Sequence, residues 1–169
     1  MRNLIAMKHG LILSLFVFAG TAATPLPAIA RDSLGVYENW AAFRDADVPR
    51  CYAIAAPRGA NEASGFASVG TWPRNGVRGQ LSFRLSRAAK VNSSARLIIG
   101  DRSFDLPAFG RNAWASDKGM DAQIIAAMRS ASRMTIRATA ANGRRFSDRY
   151  SLEGAATAMD AAVVGCARQ

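Results

Sequence analysis

Residues 77–86 read Val-Arg-Gly-Gln-Leu-Ser-Phe-Arg-Leu-Ser, and the Asn75-Gly76 turn signal stands just before them. Apolar residues and one glycine occupy the odd positions, and polar residues occupy the even positions. A period of two is typical of a β-strand with one buried face and one wet face. The stretch therefore predicts an antiparallel sheet whose two faces differ in polarity.

Further β-prone stretches lie on both sides of this strand and are separated by proline, glycine and asparagine. They cover residues 34–44, 51–56, 66–72, 95–100 and 102–107. Several short strands between regular turn signals are typical of all-β domains. We therefore expect a mainly β fold, an antiparallel sandwich or partly open barrel, with a compact α+β layer as the alternative.

A hairpin is predicted for residues 134–140 and 145–152 around Asn142-Gly143. A strict two-residue turn would place the apolar residues of the two strands on opposite faces. One extra loop residue instead pairs Ala138 with Phe146 and Met134 with Tyr150. We therefore predict a three-residue loop with Gly143 in the left-handed conformation. Asp148 then falls on the apolar face, which the register does not explain.

Two short helices complete the pattern and are expected to cover an edge or open end of the sheet. The first begins after a cap at Ser116 or Asp117 and runs to about Ser130. Its apolar face combines Met120, Ile124, Ala127 and Met128. The second is the alanine-rich segment 155–166, whose inward face combines Ala155, Met159, Ala162 and Cys166.

Residues 1–30 have the three parts of a Sec-type signal peptide. A basic start is followed by an apolar run at 11–19 and by Ala28-Ile29-Ala30. The apolar run is shorter than the about 20 residues that span a bilayer. We expect cleavage after Ala30 and a single exported domain over residues 31–169, located in the periplasm, secreted, or associated with the outer membrane. No later stretch predicts a transmembrane segment.

The predicted exported chain is strongly basic. It contains 20 of the 22 basic residues and all 12 acidic residues, a net charge of +8. Such a charge favours an anionic envelope component or a protein partner, and export argues against intracellular nucleic acid. The alternative is an ordinary solvated surface, because the arginines are scattered. The partner and the oligomeric state stay open.

The candidate binding residues are arginines on the polar faces of predicted strands. Two lie on the 77–86 strand, and they would join those of the 134–152 hairpin if the strands are neighbours. The set comprises Arg78, Arg84, Arg133, Arg137, Arg145 and Arg149.

Cys51 and Cys166 are the two cysteines of the chain. An even pair in an oxidising compartment predicts a disulfide, here between the start and the end of the exported domain. A two-thiol metal site is the alternative, but no histidine remains after cleavage to complete one, because His9 lies in the leader. We predict no metal and no cofactor.

The same lack of histidine excludes Ser-His-Asp and Cys-His catalysis. Lys90 and Lys118 do not stand in a Ser-x-x-Lys arrangement. We therefore predict no catalytic residues. The alternative is an envelope glycan hydrolase with a carboxylate pair, drawn from Asp101, Asp105, Asp117 and Asp121. Trp40, Trp72 and Trp114 suit core packing or, alternatively, a ligand cleft.

Four stretches also carry a resemblance to a known family. They are Gly35-Val-Tyr-Glu-Asn-Trp-Ala-Ala-Phe, Cys51-Tyr-Ala-Ile-Ala-Ala-Pro57, Ala122-Gln-Ile-Ile-Ala-Ala-Met-Arg, and Tyr150-Ser-Leu-Glu-Gly154 with the helix to Cys166. In this order and spacing, over about residues 34–167, the chain resembles the invasion-associated locus B family of exported bacterial proteins.

The resemblance implies a periplasmic or outer-membrane-associated β-sandwich without known catalytic activity or catalytic residues to transfer. A role in host invasion is not carried over, because similar proteins occur in free-living bacteria. Relatives have an additional cysteine a few residues after the early tryptophan, where this chain has Phe43-Arg44 after Trp40. The departure indicates a divergent member with a single bridge. A separate alternative for the function is a structural accessory protein without a dedicated ligand.

Overall fold

The computed structural model describes residues 31–45, 47–59 and 65–167, so the predicted leader lies outside the described residues. These residues form ten strands and two α-helices. The strands are β1 (Arg31–Tyr37), β2 (Trp40–Asp45), β3 (Arg50–Ala55), β4 (Phe66–Trp72), β5 (Val77–Arg84), β6 (Ser94–Ile99), β7 (Arg102–Phe109), β8 (Asn112–Trp114), β9 (Arg133–Thr139) and β10 (Arg145–Ser151). The helices are α1 (Lys118–Ser130) and α2 (Ala155–Ala167).

All ten strands belong to one antiparallel sheet in the order β1-β2-β3-β4-β5-β8-β7-β6-β9-β10. The sheet is not closed into a barrel. The predicted mainly β class is therefore confirmed, with two covering helices as expected.

The sheet folds over on itself, so that the half that contains β10 lies against the half that contains β2 and β5. Residues of β10 therefore contact strands that are far from it in the sheet order. The Trp40 indole nitrogen on β2 donates to the Ser151 carbonyl at 2.9 Å. The rings of Phe83 on β5 and Tyr150 on β10 lie 5.9 Å apart. The buried face of each half thus contributes to one hydrophobic core.

Strand β5 has the predicted alternation. Leu81 and Phe83 are buried, whereas Arg78, Gln80 and Arg84 are exposed. The strand ends two residues before the predicted end. At that point the Leu85 backbone binds Arg111 through both its N–H (2.6 Å) and its carbonyl (2.8 Å).

The predicted register of the β9–β10 hairpin is also confirmed. Ala138 lies opposite Phe146, and Met134 lies opposite Tyr150. The loop has the predicted length, because the Ala140 N–H donates to the Arg144 carbonyl and encloses three residues. Gly143 has a φ of 82°, which is the left-handed conformation predicted for it.

The stretch 34–44, predicted as one β-prone segment, instead forms two strands. The chain reverses at Glu38 and Asn39, with Glu38 at a φ of 52°. This turn packs on the residues before α2: the Asn39 N–H donates to the Glu153 carbonyl, and a Cβ on Gly154 would lie 1.9 Å from the Tyr37 oxygen. Contacts distant in sequence therefore place this turn. The short strand β8 was also not predicted.

Helix α1 begins as predicted, because the Asp117 carboxylate caps it by accepting from the Met120 N–H at 2.8 Å. Helix α2 packs on β1–β4 and buries its predicted inward face. A disulfide joins Cys166 of this helix to Cys51 of β3, with the two Cα atoms 5.7 Å apart and a sequence separation of 115. Neither helix is long and apolar enough to cross a membrane, over the residues described.

Candidate functional site

The outer face of β7, β6, β9 and β10 carries a row of polar side chains that runs across the four strands. The register places Asp105 opposite Arg96, Arg96 opposite Arg137, and Arg137 opposite Ser147. Residues directly opposite on one face have Cβ atoms about 5 Å apart, so these side chains are neighbours. The alternation of each strand keeps them on the solvent side, with Arg96 and Arg137 exposed.

Two further arginines of β10 lie beside this row. Arg145 is opposite Thr139, and Arg149 is opposite Thr135. Together with the row they line an open groove of about 550 Å³, to which Ser94, Thr139 and Ser147 add hydroxyl groups. We call this the arginine groove; its basic residues are Arg96, Arg137, Arg145 and Arg149.

The charges of the groove are unevenly balanced. Arg96 binds Asp105 through two hydrogen bonds of 2.9 and 3.0 Å, and this guanidinium holds the pKa of the Asp105 carboxyl below its usual value. Within the described part of the chain, Arg137, Arg145 and Arg149 form no salt bridge. The groove therefore presents three cations without an acidic partner, next to hydroxyl donors.

The structure brings together three of the six predicted binding arginines. Arg137, Arg145 and Arg149 meet in the groove, and Arg133 lies at the opposite end of β9, in an adjoining groove that also includes Arg149 and Glu153. Sequence reasoning included neither Arg96 nor its position in the middle of the row. The alternation of 94–99 indicates that Arg96 is exposed, but its contact with Arg137 depends on which strands pair.

Arg78 and Arg84 do not join the groove. They lie on β5, whose neighbours are β4 and β8, and three strands separate β5 from β9. We expected Arg78 and Arg84 to join Arg137 and Arg149 if their strands were neighbours. The sheet order shows that they are not neighbours. The segment that follows β5 explains why these strands lie apart. Its backbone N–H groups donate to the carbonyls of Gly110 and Thr139, so the chain crosses β8 and β7 before it enters β6.

The four aspartates considered for a hydrolase each lie in a different setting. Asp117 caps α1, and Asp121 is buried and accepts from the Leu81 N–H at 2.8 Å. Asp105 binds Arg96, and Asp101 lies in the β6–β7 turn. Five surface grooves lined by described residues each contain a single carboxylate. Among the described residues, these four aspartates therefore do not place an acid and a base facing each other across one of these grooves.

The three tryptophans do not share a cleft. Trp40 is buried in the core, Trp72 covers Gly70, and Trp114 lies on β8 with 40% of its surface exposed. Across the described residues no group of three or more histidine, cysteine, aspartate or glutamate side chains is placed to hold a metal ion.

Comparison with known proteins gives a family and a fold. The family model described as invasion associated locus B (IalB) protein matches residues 44–163. The crystal structure of invasion associated protein B from Bartonella henselae is similar, with a TM-score of 0.58 and 17% sequence identity over 77% of this chain and 95% of that chain. At this identity the likeness is one of fold. No curated protein matches the chain.

Proposed function

Because the chain belongs to the invasion associated locus B family, we propose that it is an exported, non-enzymatic envelope protein that binds an anionic envelope component through the arginine groove. The binding domain is the whole of residues 31–169 after removal of the leader. It acts in the periplasm or, if it passes further, at the outer membrane or outside the cell. Two findings support a non-catalytic role: the family is not known for enzymes, and the aspartates are dispersed.

The observation that carries the proposal is the presence of Arg137, Arg145 and Arg149 in one groove without acidic partners among the described residues. A guanidinium presents a planar fork of donors that matches a carboxylate or a phosphate in two parallel hydrogen bonds. Hydroxyls of Ser94 and Ser147 supply further donors on the same face. An open groove on the exposed face of a sheet suits a segment of an acidic polymer better than a small molecule.

The test measures binding of polygalacturonate, a carboxylate polymer, to the purified exported protein at several salt concentrations. We expect affinity to fall as salt rises, because exposed charges are screened over about 10 Å at 0.1 M salt. Substitution R137Q/R149Q removes two groove charges. A single exposed charge contact changes affinity about two- to fivefold, so the loss of two should lower affinity about 4- to 25-fold.

The matched control is R78Q/R84Q, which removes two exposed strand arginines outside the groove. This variant lowers the net charge by the same amount as R137Q/R149Q. It should change affinity by less than about threefold, because salt screens charges that lie far from the bound polymer. Equal losses in the two variants would show that net charge, and not the groove, attracts the polymer. Affinity that stays unchanged from low to high salt would refute electrostatic binding altogether.

A further inference from the structure

One end of the fold is formed by three turn segments that hydrogen bonds hold side by side. They are residues 86–93, 109–111 and 140–144, which we call the basic end. The Ala89 N–H donates to the Gly110 carbonyl at 2.7 Å, and the Ala141 N–H donates to the Ala88 carbonyl at 3.0 Å. The central segment is thus fixed to both of its neighbours through backbone groups.

Two large apolar side chains of the basic end are exposed to solvent. Val91 is 74% exposed and Phe109 is 75% exposed, more than any other large hydrophobic residue among those described. Val91 lies in a turn that Ser93 closes onto the Lys90 carbonyl, and Phe109 precedes Gly110, which has a φ of 56°. Both side chains therefore stand at tight turns on adjacent segments, outside the core.

The charged residues of the three segments all have the same sign. The three segments contain Arg87, Lys90, Arg111 and Arg144 and no acidic residue. Arg111 is used structurally, since it donates to the Leu85 carbonyl. The other three cations are exposed, and they form no salt bridge with any residue that the structure describes.

We propose that the basic end docks on the surface of an anionic phospholipid bilayer. Phe109 and Val91 enter the boundary between headgroups and acyl chains, while Arg87, Lys90 and Arg144 meet the lipid phosphates. Exposed apolar side chains among unpaired cations are the features that bind a bilayer interface. Val91 and Phe109 stand at exposed turns and not in the arginine groove, a position that suits insertion into a bilayer surface.

The site differs from the arginine groove in residues and in ligand, so the two proposals can fail separately. The test is co-sedimentation of the exported protein with phosphatidylglycerol vesicles and with phosphatidylcholine vesicles. We expect partition into phosphatidylglycerol vesicles, weakening with salt, and little into phosphatidylcholine. Substitution V91S/F109S should lower the partition coefficient roughly tenfold, since it removes the apolar area that the lipid would bury. It should leave polygalacturonate binding unchanged.

Two pairs of variants provide matched controls. V36S/V48S replaces exposed apolar residues outside the basic end and should sediment like the parent protein. R87Q/K90Q should lower partition about 30-fold, from about 1 kcal/mol for each of the two cations near an anionic surface. R58Q/R74Q, an equal change of charge at exposed sites elsewhere, should have a smaller effect.

Three results would overturn the proposal. The first is V91S/F109S sedimenting like the parent protein. The second is equal loss in R58Q/R74Q and R87Q/K90Q. The third is a loss of vesicle binding in R137Q/R149Q together with normal binding in the variants of the basic end. That result would place the lipid phosphate in the arginine groove. Thermal unfolding of each variant checks that these surface substitutions leave the fold intact.

Discussion

Asp148 on β10 accepts two hydrogen bonds from Ser86, at 2.9 Å from its backbone nitrogen and 2.5 Å from its hydroxyl oxygen. Asp148 is buried on the apolar face of the hairpin, opposite Ile136. Ser86 follows β5, which is not a sheet neighbour of β10. The contact therefore joins the two halves of the folded sheet, and the donors of Ser86 offset the cost of burying the carboxylate.

Substitution D148A should destabilise the protein by about 2–4 kcal/mol, because it removes two hydrogen bonds to a charged acceptor and leaves the Ser86 N–H without its partner. S86A removes the hydroxyl alone and should cost about 1.5–2 kcal/mol. Urea unfolding of both variants and of the double variant gives the coupling energy. D105A, whose ion pair is exposed, is the control and should cost less than about 1 kcal/mol. A D148A variant as stable as this control would contradict the assigned role.

The disulfide gives a second prediction for stability. Replacing both cysteines in C51A/C166A removes a bridge across 115 residues of chain. Loop-closure entropy for a loop of this size predicts a loss of about 4–5 kcal/mol, and measured losses often fall short of that value. Urea unfolding with and without reductant measures it, and reductant should destabilise the parent protein but not the variant. Two reactive thiols in the exported protein would contradict the bridge itself.

Asp121 gives a prediction for pH. Burial raises the pKa of this carboxyl in the folded protein, and the Leu81 N–H opposes the shift. In the interval above the ordinary value of 3.8, the folded state keeps a proton that the unfolded state releases. The contribution of Asp121 to the free energy of unfolding therefore falls as pH rises through that interval.

D121N keeps an oxygen that can accept from Leu81 but cannot ionise. Its stability relative to the parent protein should therefore improve between about pH 3 and about pH 7. Urea midpoints of the two proteins at both pH values measure the change, and carboxyls that do not interact with Asp121 cancel in the comparison. An equal difference at the two pH values would show that burial of Asp121 has no effect on its titration.

The hairpin and the faces of the helices could be predicted from sequence because their determinants are local. The pairing of Ala138 with Phe146 follows from one alternating pattern on each side of a single loop, and Gly143 supplies the conformation that the loop needs. The face of α2 follows from helical spacing, which also points Cys166 towards the sheet.

Features that depend on contacts between distant segments could not be predicted in the same way. Asp148 looked misplaced because its partner, Ser86, is 62 residues away. The meeting of Arg96 and Arg137 depends on β6 pairing with β9, which neither strand's alternation specifies. The three residues of β8 are too few to show a period, yet β8 separates β5 from β7 and so removes Arg78 and Arg84 from the groove.

The ion pair between Asp105 and Arg96 gives a prediction for the groove itself. Among the described residues, Asp105 is the one carboxylate that lines the groove, and it neutralises Arg96, the arginine next to Arg137. D105N should therefore free the Arg96 guanidinium and raise the charge of the groove by one. Polygalacturonate should bind about two- to fivefold more tightly at low salt, the range expected for a single exposed charge contact, with the gain lost at high salt. D101N, an equal change of charge in the β6–β7 turn, is the control and should bind like the parent protein. If D105N binds no better than D101N, Arg96 does not contact the polymer, and the binding surface is confined to the arginines of β9 and β10.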